Sequence, residues 1–348
     1  MIKKTLLNDM MERLIIKSDS INTWLSKIIE TVPRVLAPVK IGSKAEFKEI
    51  KDAGSVAYDV ITTTSSIKSA AFPNTETLFA YEKQGLETKL YDVAEDNFLD
   101  TVIWRARPCD AVGFGPLTKI FNWDYKDKLY NERFSRLVVV SFACDKADEC
   151  CFCTSVGGGP GNTAGSDIML TKINDEDTLV EVLTDKGSKL IDLCKDCFTD
   201  ADDSVDKESV LAKVPVKFTR EQIHEKLAKA FESPIWKAQS ERCLGCGACA
   251  FVCPTCACFD IQEDAHGNHG RRVRCWDSCG FTLFTQHTSG HNPRPTQATR
   301  WRQRVMHKFS YMPDRLDIYG CTGCGRCSRA CPVDMNIAEH LTNIANNE

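Results

Sequence analysis

No stretch of this 348-residue chain is long and apolar enough to cross a membrane. The longest apolar candidate, Leu137 to Cys144, has strand length, whereas a spanning helix takes about 20 apolar residues. No direct membrane insertion is expected. The first residues, Met1-Ile-Lys-Lys-Thr-Leu-Leu-Asn-Asp9, carry no apolar signal core. Positive charge is not in excess either. The formal net charge is −4, which gives no electrostatic footprint for nucleic acid, and no DNA-binding motif is visible. Nucleotide fingerprints are missing as well. Gly157-Gly158-Gly159-Pro160-Gly161-Asn162 lacks both the Lys-Ser/Thr ending of a phosphate loop and the dinucleotide G-x-G-x-x-G form; it reads as a turn or as a loop over a cofactor near Cys153. His287 and His291 lack the Glu of a zinc-protease helix, and Gly290 breaks a helix between them. No Ser-His-Asp arrangement can be argued.

What the chain does have is cysteine, 19 of them. A disulfide-rich secreted protein would be short and would carry a signal core. This chain is long, and its cysteines fall at metal-ligand spacings. A cytoplasmic, reducing setting is expected, with membrane contact only through partners. Hydrophobic residues make up 43%, enough for a real core in a chain of this length.

Apolar positions Leu6, Leu7, Met10, Leu14, Trp24, Ile28 and Ile29 have helical spacing, so one or two helices are expected over residues 5–31. The runs Val35–Ile41, Thr101–Trp104, Leu137–Phe142 and Ile168–Ile173 read as strands. Residues 174–208, with Asp175, Glu176, Asp177, Asp200, Asp202 and Asp203, read as a solvated acidic insertion or linker. Residues 219–242 read as helical, opened by Thr219 and interrupted by Pro234, and Met335 to Ile344 as a closing helix. The expected fold is an α/β N-terminal domain, residues 1–218, followed by a mainly helical two-cluster [4Fe–4S] ferredoxin domain with a large insertion, residues 219–348.

The chemistry lies in two motifs. Cys243-Leu-Gly-Cys246-Gly-Ala-Cys249-Ala-Phe-Val-Cys253-Pro254 and Cys321-Thr-Gly-Cys324-Gly-Arg-Cys327-Ser-Arg-Ala-Cys331-Pro332 both read C-x2-C-x2-C-x3-C-P, the bacterial ferredoxin run. Three thiolates two residues apart wrap one cubane, and the glycines let the backbone approach its sulfurs. The fourth Cys serves the other cluster. Cys243, Cys246, Cys249 and Cys331 are therefore expected on one cube, and Cys321, Cys324, Cys327 and Cys253 on the other. Structural zinc would use paired C-x-x-C elements instead. Cys194-Lys-Asp-Cys197 is such a pair, but its acidic setting disfavours a reactive thiolate, and it reads as two ordinary thiols.

The motifs begin 78 residues apart, and the insertion holds Cys256, Cys258, Cys275 and Cys279. Residues 265–315 carry nine Arg and Lys against two Asp. This basic stretch, Arg300, Arg302 and Arg304 included, either docks an acidic partner or phosphate, or neutralises the anionic clusters from within.

Further blocks accompany these motifs. They are Arg107-Pro108-Cys109-Asp110, Cys151-Phe-Cys-Thr-Ser155, Trp276-Asp-Ser-Cys279, Gly290-His-Asn-Pro-Arg294, and Arg302-Gln-Arg304 followed by His307-Lys308. In this order they resemble one iron–sulfur family, over roughly residues 70–340. It comprises the iron–sulfur electron-transfer subunit of anaerobic sulfite reductases and the beta subunit of cytoplasmic sulfhydrogenases. The resemblance implies a non-catalytic electron-transfer subunit. Its implied partners are a flavin subunit that oxidises NAD(P)H, or a ferredoxin module, and a metal-containing catalytic subunit such as a hydrogenase or sulfite reductase. A self-sufficient flavin- or substrate-binding reductase is the alternative, and a redox-sensing regulator a third.

A further iron–sulfur cluster is expected on Cys109, Cys144, Cys151 and Cys153. Cys109 follows one probable strand and Cys144 ends another, and strand ends position ligand loops. The resemblance points to the same four. Cys150 is then a spare or a substitute for Cys151. Buried free cysteines, or a cluster on Cys256, Cys258, Cys275 and Cys279, are the competing readings.

Overall fold

The structure is a computed structural model, and it describes residues 12–93, 98–202 and 204–346. Leu6, Leu7 and Met10 lie outside the described residues. The residues from 12 onward do not all continue a helix. Leu14 and Ile16 are buried at alternate positions, so Glu12–Lys17 forms strand β1, and the helix starts only at Ser18 and runs to Thr31. Two apolar positions of period 2 sat inside a pattern read with period 3.6.

The other strands are β2 (Arg34–Ile41), β3 (Lys44–Glu49), β4 (Thr75–Gln84), β5 (Glu87–Asp92), β6 (Thr101–Ala106), β7 (Leu137–Phe142), β8 (Ile168–Lys172), β9 (Asp177–Val182), β10 (Phe198–Asp200), β11 (Phe259–His266) and β12 (His269–Trp276). Eight of them form one sheet in the order β10-β1-β9-β8-β7-β6-β2-β3. Strands β2, β6, β7 and β8 run parallel, and the flanking pairs are antiparallel. One face packs on the Ser18–Thr31 helix through Trp24, Leu25 and Ile28. The other face packs on Phe114, Leu117, Phe121 and Tyr130 of the β6–β7 crossover. The parallel strands are nearly all apolar because both faces are covered.

The acidic segment is not a linker. Asp177–Val182 is strand β9, paired with β1 on one side and β8 on the other. Its buried Glu181 is held by Lys207 at 2.7 Å. The acidic count came from flanking turns, such as Asp175, and hid a strand with Leu179, Val180 and Val182 in the core.

The insertion between the ferredoxin motifs is not helical throughout. Its hairpin β11–β12 joins β4 and β5 in a second sheet, ordered β11-β12-β4-β5. This sheet thus draws strands from both sides of residue 218. Arg274 on β12 lies opposite Glu76 on β4 and binds it at 2.8 Å; Arg274 also reaches Asp127 at 2.5 Å, and Arg133 reaches Glu76 at 2.5 Å. Around the cysteine motifs, helices Arg220–Leu227, Ile235–Ser240, Gln297–Met306 and Ile337–Asn346 share a third apolar core built on Trp236, Trp301, Phe309 and Leu341. Thr219 caps the first of these, accepting from the Gln222 N–H.

The Arg274 network predicts a stability effect. Arg274→Met leaves the buried Glu76 with Arg133 alone and takes the partner from the part-exposed Asp127, a loss of about 3 kcal/mol. The variant should show a thermal midpoint several degrees below that of the parent by circular dichroism. An unchanged midpoint would refute this account of how the second sheet is fixed.

Candidate iron–sulfur centres

The two motifs fold alike. Gly245 and Gly247, and likewise Gly323 and Gly325, have positive φ between 66° and 73°. Each loop then enters a single helical turn, Ala248–Phe251 or Arg326–Arg329. Left-handed backbone is what glycine supplies, and it curls each loop so that its cysteines face one point. Close approach demands glycine as well. A Cβ at Gly247 would lie 2.4 Å from Phe281, and one at Gly323 would lie 2.5 Å from the Cys153 backbone.

Cys243, Cys246, Cys249 and Cys331 line one cavity, closed by Trp301, Met335 and Ile337. Gln297 donates to the Cys243 sulfur at 3.0 Å, and the Met335 N–H donates to the Cys331 sulfur at 3.2 Å. Cys321, Cys324, Cys327 and Cys253 form the second group, in electrostatic contact with one another. Burial pushes the Cys321 thiol up to about 12, and a bound metal would draw it to the thiolate. Lys308 donates to the Cys253 sulfur at 3.4 Å and is anchored on Thr255 and the Gly320 carbonyl at 2.9 and 2.6 Å. Burial works against this ammonium, but Cys253 and Cys256 outweigh it and hold it charged.

The N-terminal cysteines also gather. Cys109 begins the helical turn after β6, Cys144 follows β7, and Cys151 and Cys153 lie in the next loop. Cys144 interacts with Cys151, Cys153 with Cys144 and Cys151, and Cys109 with Cys144 and Cys324. Burial pushes the Cys153 thiol up to about 12. Gly157, Gly158 and Gly159 share a cavity wall with Cys109, Cys153 and Cys321, as a loop over a cofactor would.

A junction fastens this group to the second motif. The Phe152 N–H donates to the Gly323 carbonyl at 2.9 Å. Arg326, between Cys324 and Cys327, pairs with Asp110, next to Cys109, at 2.8 Å, both side chains being 1% exposed. Arg329 bonds Asp148 at 2.8 Å, the Cys151 sulfur at 3.2 Å and the Cys324 carbonyl at 2.7 Å. Among the described residues, two buried donors are left without partners, Arg326 Nη1 and Arg304 Nε. Cluster sulfides are acceptors that would satisfy such donors, so the residues present fit the groups.

Sequence reasoning missed Arg326, Arg329, Gln297 and Lys68. Lys68 is buried and donates to the Ala250 and Cys256 carbonyls at 3.0 and 2.9 Å. The signal available was Arg326 itself, a charged residue inside a cluster loop where the first motif has Ala248. The docking reading of Arg300, Arg302 and Arg304 is corrected. Arg300 and Arg304 are buried against the first cavity, and Arg302 stacks on Phe231 at 3.8 Å. Cys194 and Cys197 are joined in a disulfide rather than left as ordinary thiols.

The cysteine loops define a class, an iron–sulfur protein with two [4Fe–4S] clusters; residues 242–335 match the 4Fe–4S dicluster domain. The chain is 30% identical over 320 residues to sulfhydrogenase 2 subunit beta of Pyrococcus furiosus, spanning 90% of this chain and 92% of that protein, and it belongs to that family. It is also 24% identical over 172 residues to F420-dependent formate dehydrogenase subunit beta of Methanocaldococcus jannaschii, over 46% of this chain and 37% of that one. Among the described residues no helix is long and apolar enough to cross a membrane.

Cys246→Ser and Cys324→Ser test the two loops separately. Each should remove a different cubane signal in electron paramagnetic resonance and about four iron per chain. Loss of one common signal from both variants would contradict two independent loops.

Proposed function

We propose that this chain is the electron-relay subunit of a multi-subunit oxidoreductase. One cube sits on Cys243, Cys246, Cys249 and Cys331, the other on Cys321, Cys324, Cys327 and Cys253, and a third iron–sulfur cluster sits on Cys109, Cys144, Cys151 and Cys153. Its partners are a flavin subunit that oxidises NAD(P)H, or a ferredoxin, and a catalytic metallo-subunit of the hydrogenase or sulfite reductase kind, in the cytoplasm. The carrying observation is the junction. Backbone contact and the Asp110–Arg326 pair bring the N-terminal thiols against the second motif, so the cysteine groups form one continuous series.

The relay reading is tested on the full chain, because a fragment ending before residue 219 would lose that junction. Cys109→Ser/Cys153→Ser should lower iron by about four and leave both ferredoxin signals in place. Unchanged iron would remove the third cluster from the proposal. The purified chain should show no NAD(P)H-dependent turnover until a flavin subunit is added.

One feature favours the second reading, a flavin- or substrate-binding reductase. A cavity of about 310 Å³ lies beyond the ends of β6, β7 and β8, bounded by Tyr58, Phe142, Arg105, Arg107, Cys144 and Asp145. Such crevices at the carboxyl ends of parallel strands are common ligand sites. Arg105 bulges out of β6 with φ 61°, a strained conformation of the kind found at functional sites. Steady NAD(P)H turnover by the isolated chain, with flavin released on acid treatment, would favour this reading over the relay.

A further inference from the structure

Cys256, Cys258, Cys279 and His307 line a single cavity together with Arg304 and Lys308, and none of the four belongs to the cysteine groups above. Local structure explains the meeting. Cys256 and Cys258 follow Cys253-Pro254-Thr255, where the first motif leaves its loop. The Asp277 N–H donates to the Cys258 carbonyl at 2.9 Å and so holds the turn containing Cys279 beside Cys258. The Cys258 and Cys279 side chains interact with one another, as do those of Cys253 and Cys256. His307 opens the π-helical turn His307–Tyr311 at the end of helix Gln297–Met306. Turns of this kind recur at functional sites. Positions 304, 307 and 308 fall on one helix face, so ligand and cations arrive together.

Cys275 does not join them. It is adjacent in β12 to Trp276, and neighbouring strand residues point to opposite faces. Trp276 packs inward under the Lys68 ammonium, 3.8 Å from its ring centre.

Three observations show a prepared site. The thiols are buried beside two buried cations. Arg304 places Nη1 3.8 Å from the Cys256 sulfur and Nη2 2.9 Å from the Cys249 carbonyl, while its Nε has no partner among the described residues. A sulfide acceptor in this cavity would satisfy that donor. The His307 side chain makes no hydrogen bond among the described residues. An imidazole nitrogen with no such partner can serve as a metal ligand. Among the described residues no three His, Cys, Asp or Glu converge on a single-ion position. That is equally true of the ferredoxin quartets, since a cube spreads its ligands over its corners.

We propose that Cys256, Cys258, Cys279 and His307 hold an additional [4Fe–4S] cluster, adjacent to the cube that Cys253 serves. The ligand set does not rest on the relay reading; only its role does. Exchanging a thiolate for neutral imidazole removes a negative charge, the change that raises the potential of Rieske centres. This cluster would therefore take one electron from the neighbouring cube more readily than it returns it, and pass it to a partner.

The test uses the full chain reconstituted anaerobically with ferrous iron and sulfide. Cys256→Ser/Cys258→Ser/Cys279→Ser should bind about four fewer iron and four fewer sulfide than the parent, with both ferredoxin signals kept. The Cys109→Ser/Cys153→Ser chain should still show this loss when the three changes are added, which separates it from the N-terminal cluster. Should the triple variant not fold, His307 decides. His307→Ala should yield a three-iron signal, and His307→Cys should restore four iron at a lower potential. Unchanged iron in the triple variant, a loss of only two, or His307 variants indistinguishable from the parent would overturn the proposal. So would a Cys258–Cys279 disulfide in the iron-loaded chain.

Discussion

The arrangement of this molecule depends on one buried contact, where Arg326 meets Asp110. A guanidinium and a carboxylate, each 1% exposed, lie between two cysteine groups more than 200 residues apart in sequence. Such a pair does not by itself make a fold stable. Desolvation consumes most of its attraction, and apolar replacements are often no worse. What it supplies is position. Burial opposes the charge on Arg326; Asp110, with Cys324 and Cys109, outweighs it and holds the guanidinium charged. The cation therefore belongs where the thiols of both groups converge, and the N-terminal sheet cannot slide against the cluster loops without leaving it unpaired.

The same logic recurs around the other cysteines. Lys308 and Arg304 are both buried among thiols and are pulled toward the charged form by them. Anionic clusters in a low-dielectric interior need such cations, and the cations need the clusters. This explains why the basic stretch is inside the protein. Of its arginines, Arg271, Arg272 and Arg315 stay at the surface, the first two answered across the hairpin by Asp264 and Glu263.

The ferredoxin loops were legible in the sequence because their signal is local. Cysteine spacing and paired glycines describe a loop that builds itself within a dozen residues. The parallel strands were legible too, as apolar runs. What escaped was set by distant partners. Strand β9 read as a linker because its core residues lie among acids that turn out to flank it. Hairpin β11–β12 read as part of a helical insertion because its sheet is completed by β4, nearly 200 residues earlier. Arg300 and Arg304 read equally as a docking face or as countercharges to the clusters, because charge gives no hint of burial until the thiols they serve are placed. Cys256, Cys258 and Cys279 were visible as a group, but only the fold removes Cys275 from it and adds His307.

Backbone contact constrains the cysteine groups more tightly than charge does. A Cβ at Gly113 would lie 2.7 Å from Pro254, and one at Gly325 would lie 2.4 Å from the Cys150 carbonyl oxygen. With Gly323 on Cys153, Gly325 gives two places where the two cysteine-rich regions touch main chain to main chain, while Gly113 meets the Pro254 ring. Side-chain contacts tolerate small shifts by changing rotamer; backbone packed on backbone does not. The spacing between the cysteine groups is therefore set by the main chain itself. That is the property an electron path needs, because its rate depends on distances that must not drift as partners bind and leave.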